Sequence, residues 1–296
     1  MTWLTLTLAS AVCLGLYDVA KKAALRDNPV LPVLLLSTLS GFGLLLVELG
    51  LAASIPSLPR FELEPLSPAE HGRVMVKSGI VTASWVLTFF AIKHLPLSLA
   101  TPIRASAPLF TVLGALALFG ERPLGRQWLG MASVLAAYLA FSAIGKREGI
   151  VFRTDRWVGF LFLGTLIGAA SGLYDKYLLQ ELALPPFTLQ FWFTVYGAGL
   201  QLGLWWWFAR GRAANAPLEF RGWIVLVGSL LVVADQFYFE AVAREGALIS
   251  VVSVLRRSNV LVSFAFGALL FRERLLGQKA LALAGVLVGL VLLLRH

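Results

Sequence analysis

The sequence predicts an all-α integral membrane protein of about ten transmembrane helices, built as two inverted five-helix repeats. Three observations carry this expectation: a composition too apolar for a water-soluble core, apolar runs of spanning length, and sequence words that occur once in each half. Hydrophobic residues make up 58% of the 296 and charged residues 14%, with a mean hydropathy of +0.81. A water-soluble interior of this size has no room for so many apolar side chains, so the solvent is lipid.

Runs bounded by charge, proline or glycine fall at 3–23, 30–52, 73–92, 97–119, 127–144, 157–179, 187–209, 222–243, 247–270 and 278–294. Most connections are a few residues long, which makes sequential helices antiparallel neighbours in a bundle. The stretch from Ala53 to Gly72, with Pro56, Pro59, Pro65 and Pro68, reads as the longest and most polar connection.

The repeat is visible in words. Gly15-Leu16-Tyr17-Asp18 recurs as Gly172-Leu173-Tyr174-Asp175, each followed by lysine and later by proline. Phe119-Gly120-Glu121-Arg122-Pro123-Leu124-Gly125 recurs as Phe271-Arg272-Glu273-Arg274-Leu275-Leu276-Gly277, and each follows an apolar run containing an arginine, Arg104 or Arg256. The halves divide at the basic cluster Lys146, Arg147, Arg153 and Arg156, giving residues 1–146 as the first repeat and 147–296 as the second. Five helices is an odd number, so the second copy enters the membrane from the opposite side and a shared cavity is expected near the midplane. A duplicated membrane unit with repeated ionisable residues is the signature of a transporter.

The net charge of +9 raises nucleic acid as a partner. The basic residues, however, stand singly or in pairs at the ends of apolar runs, where they anchor and orient helices. Cys13 lies inside an apolar run and reads as packing. The N-terminal run lacks a basic leader and a small-residue cleavage site, and it carries the repeat word, so it reads as a first helix and not a signal. Trp3, Trp128, Trp157, Trp223 and Trp205-Trp206-Trp207 fall near helix ends as interfacial belt residues, whereas Trp85 and Trp192 lie deeper as candidate cavity walls. Gly41, Gly43, Gly197, Gly199 and the Gly285/Gly289 pair mark close helix packing.

Charges inside spanning helices require a partner, water or a substrate. Arg104, Arg256 and Arg257 lie at matching places in the two halves, and guanidinium is suited to carboxylate or phosphate. The competing reading pairs them with the intramembrane carboxylates Glu48, Asp235 or Glu240, and the two readings coexist if a substrate displaces a carboxylate. Asp18 lies at i, i+3 and i+4 from Lys21 and Lys22, which permits ion pairing within the helix. Asp175 with Lys176 is its counterpart. These groups are candidates for coupling or gating, against a bland reading as helix-end residues with snorkelling lysines. Asp235, Tyr238 and Glu240 share one helix, with Asp235 and Tyr238 on one face. Lys77, Trp85, Gln190 and Tyr196 are further lining candidates, as are Tyr17 and Tyr174 in the repeat word. Glu121-Arg122 and Glu273-Arg274 read as structural caps. The chain has no His/Cys metal spacing, phosphate-cradling glycine loop or nucleophile elbow, so no metal, cofactor or enzymatic activity is expected.

The paired blocks Pro108 to Ser142 and Asn259 to Leu293, with Phe119-Gly120-Glu121-Arg122, Gln127-Trp128-Leu129-Gly130, Glu273-Arg274, Gly277-Gln278 and Ala284-Gly285-Val286, carry a resemblance. The chain resembles a ten-helix EamA-type member of the drug/metabolite transporter superfamily, over essentially its whole length. The resemblance implies two inverted five-helix repeats, a central cavity, alternating access and cytoplasmic termini. Lysine and arginine counts over the loops place both termini outside the cytoplasm instead, so orientation stays open. In the organophosphate and nucleotide-sugar branch, basic residues of the fourth and ninth helices hold an anionic group, which Arg104 and the Arg256-Arg257 pair match by position.

The resulting expectation is a multi-pass protein of the cell (inner) membrane that carries or exchanges a small polar, anionic metabolite. Its expected partners are that substrate and the lipid bilayer, with a homodimer left open and no nucleic acid. A lipid-phosphate flippase or scramblase, and an exporter of amino acids or amphipathic compounds, are the alternatives.

Overall fold

The computed structural model describes residues 2–55, 61, 63–95, 100, 103–104, 106–145, 155–209, 218–259 and 261–262, with positions 266, 285, 288–289 and 292. Its helices are α1 (Trp3–Leu25), α2 (Val30–Ser54), α3 (Pro68–His94), α4 (Ala107–Phe119), α5 (Gly125–Gly145), α6 (Arg156–Lys176), α7 (Pro186–Ala209), α8 (Gly222–Ala243) and α9 (Ile249–Arg256). A π-helical turn, Tyr177–Glu181, continues α6. The expected tenth span, 278–294, lies outside the described residues apart from isolated helical positions. Among the described residues, five helices are long and apolar enough to cross a membrane: α1, α2, α3, α6 with its π turn, and α8.

Local signals explain the helix starts. Thr2 caps α1 by accepting from the Thr5 backbone N–H, and Asp155 caps α6 by accepting from that of Trp157. The expected start of α3 was Arg73, but the helix begins at Pro68. Ser67 and Glu70 form a reciprocal capping box there, and Pro68 sits in the first turn, where a missing N–H costs nothing. The proline-rich connection is thus shorter than its composition suggests.

The helices pair across the halves in exchanged couples. The α1·α8 packing is matched by α3·α6, α2·α8 by α3·α7, and α1·α9 by α4·α6, while α2 meets α7 directly. Exchanging α1, α2, α3 and α4 for α6, α7, α8 and α9 maps each of these contacts onto its mate, as expected for two repeats about a pseudo-two-fold axis. Five helices precede α6, so with alternating crossings it runs opposite to α1.

The α2–α8 crossing depends on backbone approach. A Cβ on Gly228 would stand 1.9 Å from the Ser37 carbonyl oxygen, and one on Gly41 would stand 3.0 Å from that of Gly228. Gly41 was legible as a packing glycine; Gly228 was not singled out. Gly43 and Gly199 meet nothing within 4 Å, whereas Gly285 packs on Ala137. Large apolar side chains such as Leu118, Leu129, Trp206, Trp207 and Phe208 point outward, the arrangement a lipid solvent selects.

Candidate functional site

Between the halves lies a cavity of about 160 Å³, walled by α1, α3, α6, α7 and α8 and by the segments bearing Arg104 and Arg256-Arg257. Tyr17, Trp85, Phe89, Phe193, Tyr238 and Phe239 supply aromatic surface, and Lys21, Lys77, Arg104, Asp175, Asp235, Arg256 and Arg257 supply charge.

Both arginine segments stand at helix breaks of the same geometry. In the first half the Ser106 N–H donates to the Ile103 carbonyl at 3.1 Å and the Leu109 N–H to that of Ser106 at 3.0 Å. In the second, Ser258 N–H donates to Leu255 at 3.0 Å and Leu261 N–H to Ser258 at 2.9 Å. The expected continuous run at 97–119 is therefore interrupted by a turn at Ser106, between helical Ile103 and Arg104 and the start of α4 at Ala107, and α9 stops at Arg256 before a turn at Arg257 and Ser258. Pro108, which has no N–H to return to the Arg104 carbonyl, accounts for the first break. Irregular backbone at membrane depth is tolerated where protein or a polar cavity surrounds it, and here it places each guanidinium in the cavity wall.

Three carboxylates hold the cations. Asp18 Oδ1 accepts from Arg104 Nη1 at 2.7 Å and Lys21 Nζ at 2.9 Å, while its Oδ2 accepts from Asn259 Nδ2 at 2.9 Å. Asp235 pairs with Arg256, whose Nε also donates to Ser10 Oγ at 3.1 Å and whose guanidinium lies 4.0 Å over the Tyr238 ring. Asp175 Oδ1 lies 2.5 Å from Lys77 Nζ, which donates to Ser171 Oγ at 2.6 Å, and Tyr238 donates to Asp175 Oδ2 at 3.2 Å. Among the described residues this gives five cations against three carboxylates, a formal excess of positive charge around the cavity.

The repeat word gains a physical reading. Gly15 lies three residues before Asp18 on one helix face, and a Cβ there would stand 2.8 Å from the Asn259 carbonyl oxygen. Its absence lets the segment bearing Asn259 come close enough to bond Asp18. Gly172 precedes Asp175 in the same way, and a Cβ there would lie 3.6 Å from the Tyr238 hydroxyl that reaches Asp175. Gly15 thus makes room for the polar partner of its aspartate, whereas a Cβ at Gly172 would be in ordinary van der Waals contact with the partner of Asp175.

The structure gathers Tyr17, Trp85, Arg104, Asp175, Asp235, Tyr238, Arg256 and Arg257 at the cavity, with Asp18 bonded to its wall. Other candidates lie elsewhere. Lys22 Nζ donates to the Ile92 and Leu95 carbonyls at 2.8 and 3.0 Å, closing the end of α3. The Tyr174 hydroxyl donates to the Arg73 carbonyl, and that of Tyr196 meets His71 Nδ1 at 2.8 Å. Glu240 pairs with Arg244 at 3.8 Å, and Glu48 accepts a hydrogen bond from Gln236.

Lys176 pairs with Glu121 at 2.6 Å. Glu121 also accepts from the Ile249 and Ser250 N–H groups at 2.8 and 3.1 Å and from the Ser250 hydroxyl, capping α9 from the other half of the chain. Sequence reasoning missed Ser10, Ser171 and Asn259. Ser171 lies one turn before Asp175 and Asn259 nearly one turn after Arg256, a spacing that places each beside a charge already singled out.

These features define a multi-pass helical membrane protein with paired halves around a charged central cavity. A family model described as the EamA-like transporter family matches the chain twice, over residues 1–143 and 155–295. The chain belongs to this family of membrane transporters, of the drug/metabolite transporter type. A crystal structure of another protein, 18% identical, superposes over 98% of this chain and 94% of its own with a TM-score of 0.68, a likeness of fold. No curated protein matches the sequence.

Proposed function

We propose that the protein carries a small anionic metabolite by alternating access, binding it in the central cavity between Arg104 and Arg256-Arg257. The observation behind this reading is the pair of arginines at equivalent helix breaks, each held by a carboxylate that a substrate anion can replace. Exchanging one carboxylate for another keeps each guanidinium paired throughout, and Asp18 retains Lys21 when Arg104 turns to the substrate. The aromatic walls suit an anion with an apolar portion, and Arg256, stacked on Tyr238, lines the same cavity.

Gating then falls to contacts that cross the halves: Lys77 with Asp175, Asn259 with Asp18, and Lys176 with Glu121. Rocking one half against the other exposes the site to each side in turn. Thermal-shift measurement of the purified protein against carboxylates, organophosphates, amino acids and phospholipid headgroups tests the reading, because a ligand bound only by the native state raises its melting temperature. Stabilisation by anions that is lost in Arg104→Ala supports it. Stabilisation confined to cations or neutral compounds opposes it, and stabilisation by phospholipid headgroups alone favours lipid translocation.

A further inference from the structure

Four buried side-chain atoms outside the central cavity lack a hydrogen-bond partner among the described residues: Thr82 Oγ1, Gln190 Oε1, Gln201 Nε2 and Gln201 Oε1. They gather along one seam. Gln190, Thr194, Gly197 and Gln201 fall at i, i+4, i+7 and i+11, a single face of α7, and Thr82 faces them from α3. A chamber of about 20 Å³ opens at one end, bordered by Gln190, Thr194, Gly197, Thr38, Val232 and Asp235. Asp235 and Trp85 line both this chamber and the central cavity. Gly197 joins the two parts of the seam: a Cβ there would stand 3.9 Å from Thr82 Oγ1 and 4.0 Å from Gln201 Nε2.

Leaving four such groups dry inside a membrane protein is costly, and the chamber is large enough for about one water, to which Gln190 Oε1 is an open acceptor. We infer that the seam is a file of bound water along α7 that delivers protons to Asp235 from the side opposite the central cavity. A proton arriving as hydronium bonds to the Asp235 carboxylate and leaves a water behind. The neutral acid releases Arg256, which keeps its charge and is available to an anion; departure of the anion reverses both steps. The charged and titratable groups that share the cavity with Asp235 are Tyr17 and Lys21 of α1, Lys77 of α3, Arg104, Asp175 of α6, Tyr238 of α8 itself, and Arg256 with Arg257. From α2 the nearest acid, Glu48, is bonded to Gln236, and α7 presents only amides and hydroxyls. This role for Asp235 rests on reading Arg256 as an anion-binding group; the water file itself does not.

The test is pH-jump infrared spectroscopy of the full chain in lipid nanodiscs, following the carboxylic-acid band that disappears in Asp235→Asn. Gly197→Val removes no polar group but plugs the file, and it is expected to slow protonation of Asp235 several-fold. Hydroxyl-radical footprinting supplies a second reading at Val232, which borders the chamber and not the central cavity: labelling is expected in the parent and lost in Gly197→Val. If Gly197→Val does not fold, Thr82→Val and Gln201→Leu take its place with the same expectations. An unchanged protonation rate in the plugged variant, or a Val232 that is never labelled, overturns the inference. Neither outcome bears on anion stabilisation of the parent protein, so the two readings fail separately.

Discussion

Lys77 of α3 and Asp175 of α6 meet at 2.5 Å with both side chains buried, joining the first half of the chain to the second. The pair is held on both sides, Lys77 by Ser171 Oγ and Asp175 by the Tyr238 hydroxyl. Removing one partner strands a charge where water is scarce. Lys77→Met is therefore expected to destabilise the protein by roughly 3 to 5 kcal/mol, and Asp175→Asn in the same chain to restore part of the loss. Unfolding of the single and double variants in matched detergent measures this; additive losses would show that the residues do not act as a pair.

Asp18 and Asp175 are equivalent in the repeat but not in their surroundings. Asp18 is held by two cations and an amide, Asp175 by one cation and a phenol. If either couples transport to protons, its asparagine variant abolishes pH-driven uptake into liposomes of the substrate found by screening, while counterflow exchange persists. Retention of pH-driven uptake in both Asp18→Asn and Asp175→Asn assigns them to structure.

Glu121 ties the end of α4 to α6 and to the start of α9 through Lys176 and the capped N–H groups of Ile249 and Ser250. Glu121→Ala leaves Lys176 buried without its carboxylate and uncaps α9, with an expected cost of roughly 3 to 5 kcal/mol. Lys176→Met in the Glu121→Ala background is expected to recover the charge portion only. Thermal unfolding that is unchanged in Glu121→Ala contradicts the role given to this cross-half anchor.

The apolar runs and the duplicated words announced the helices and the two-repeat plan because span length and repeated motifs are local properties of the sequence. The same words marked Arg104, Arg256, Asp18 and Asp175, since a buried charge needs a reason wherever it lies. Partners were less legible. Lys176 reads as the neighbour of Asp175, yet successive helix residues diverge by about 100°, and it meets Glu121 instead of the cavity. Lys22 is one residue from Lys21 but turns to the end of α3 for the same reason. The helix breaks at Ser106 and Ser258 were hidden inside apolar runs, because composition does not record which carbonyl a given N–H reaches.

Packing at Gly228 offers a test of the fold apart from any charge. The Ser37 carbonyl oxygen lies 1.9 Å from where its Cβ would stand, and backbone cannot swing aside as a long side chain does. Gly228→Ala should cost roughly 1 to 3 kcal/mol by forcing α2 and α8 apart. Gly43→Ala, where a Cβ meets nothing within 4 Å, is the control expected to leave stability unchanged.

The most direct test of the account is equilibrium binding of the anion identified by screening to the parent and to Arg104→Ala, Arg256→Ala and Arg257→Ala, each shown to be folded by its size-exclusion profile. A buried guanidinium that contacts the anion makes charge-assisted bonds, so its loss is expected to weaken binding by roughly 2 to 5 kcal/mol. Arg→Lys retains the charge but not the fork and should also impair binding where contact is bidentate. The account predicts this behaviour for Arg104 and for at least one of Arg256 and Arg257. Parent-like affinity in all three folded alanine variants would contradict it, leaving the arginines as internal partners of Asp18 and Asp235 and removing the case for an anionic substrate.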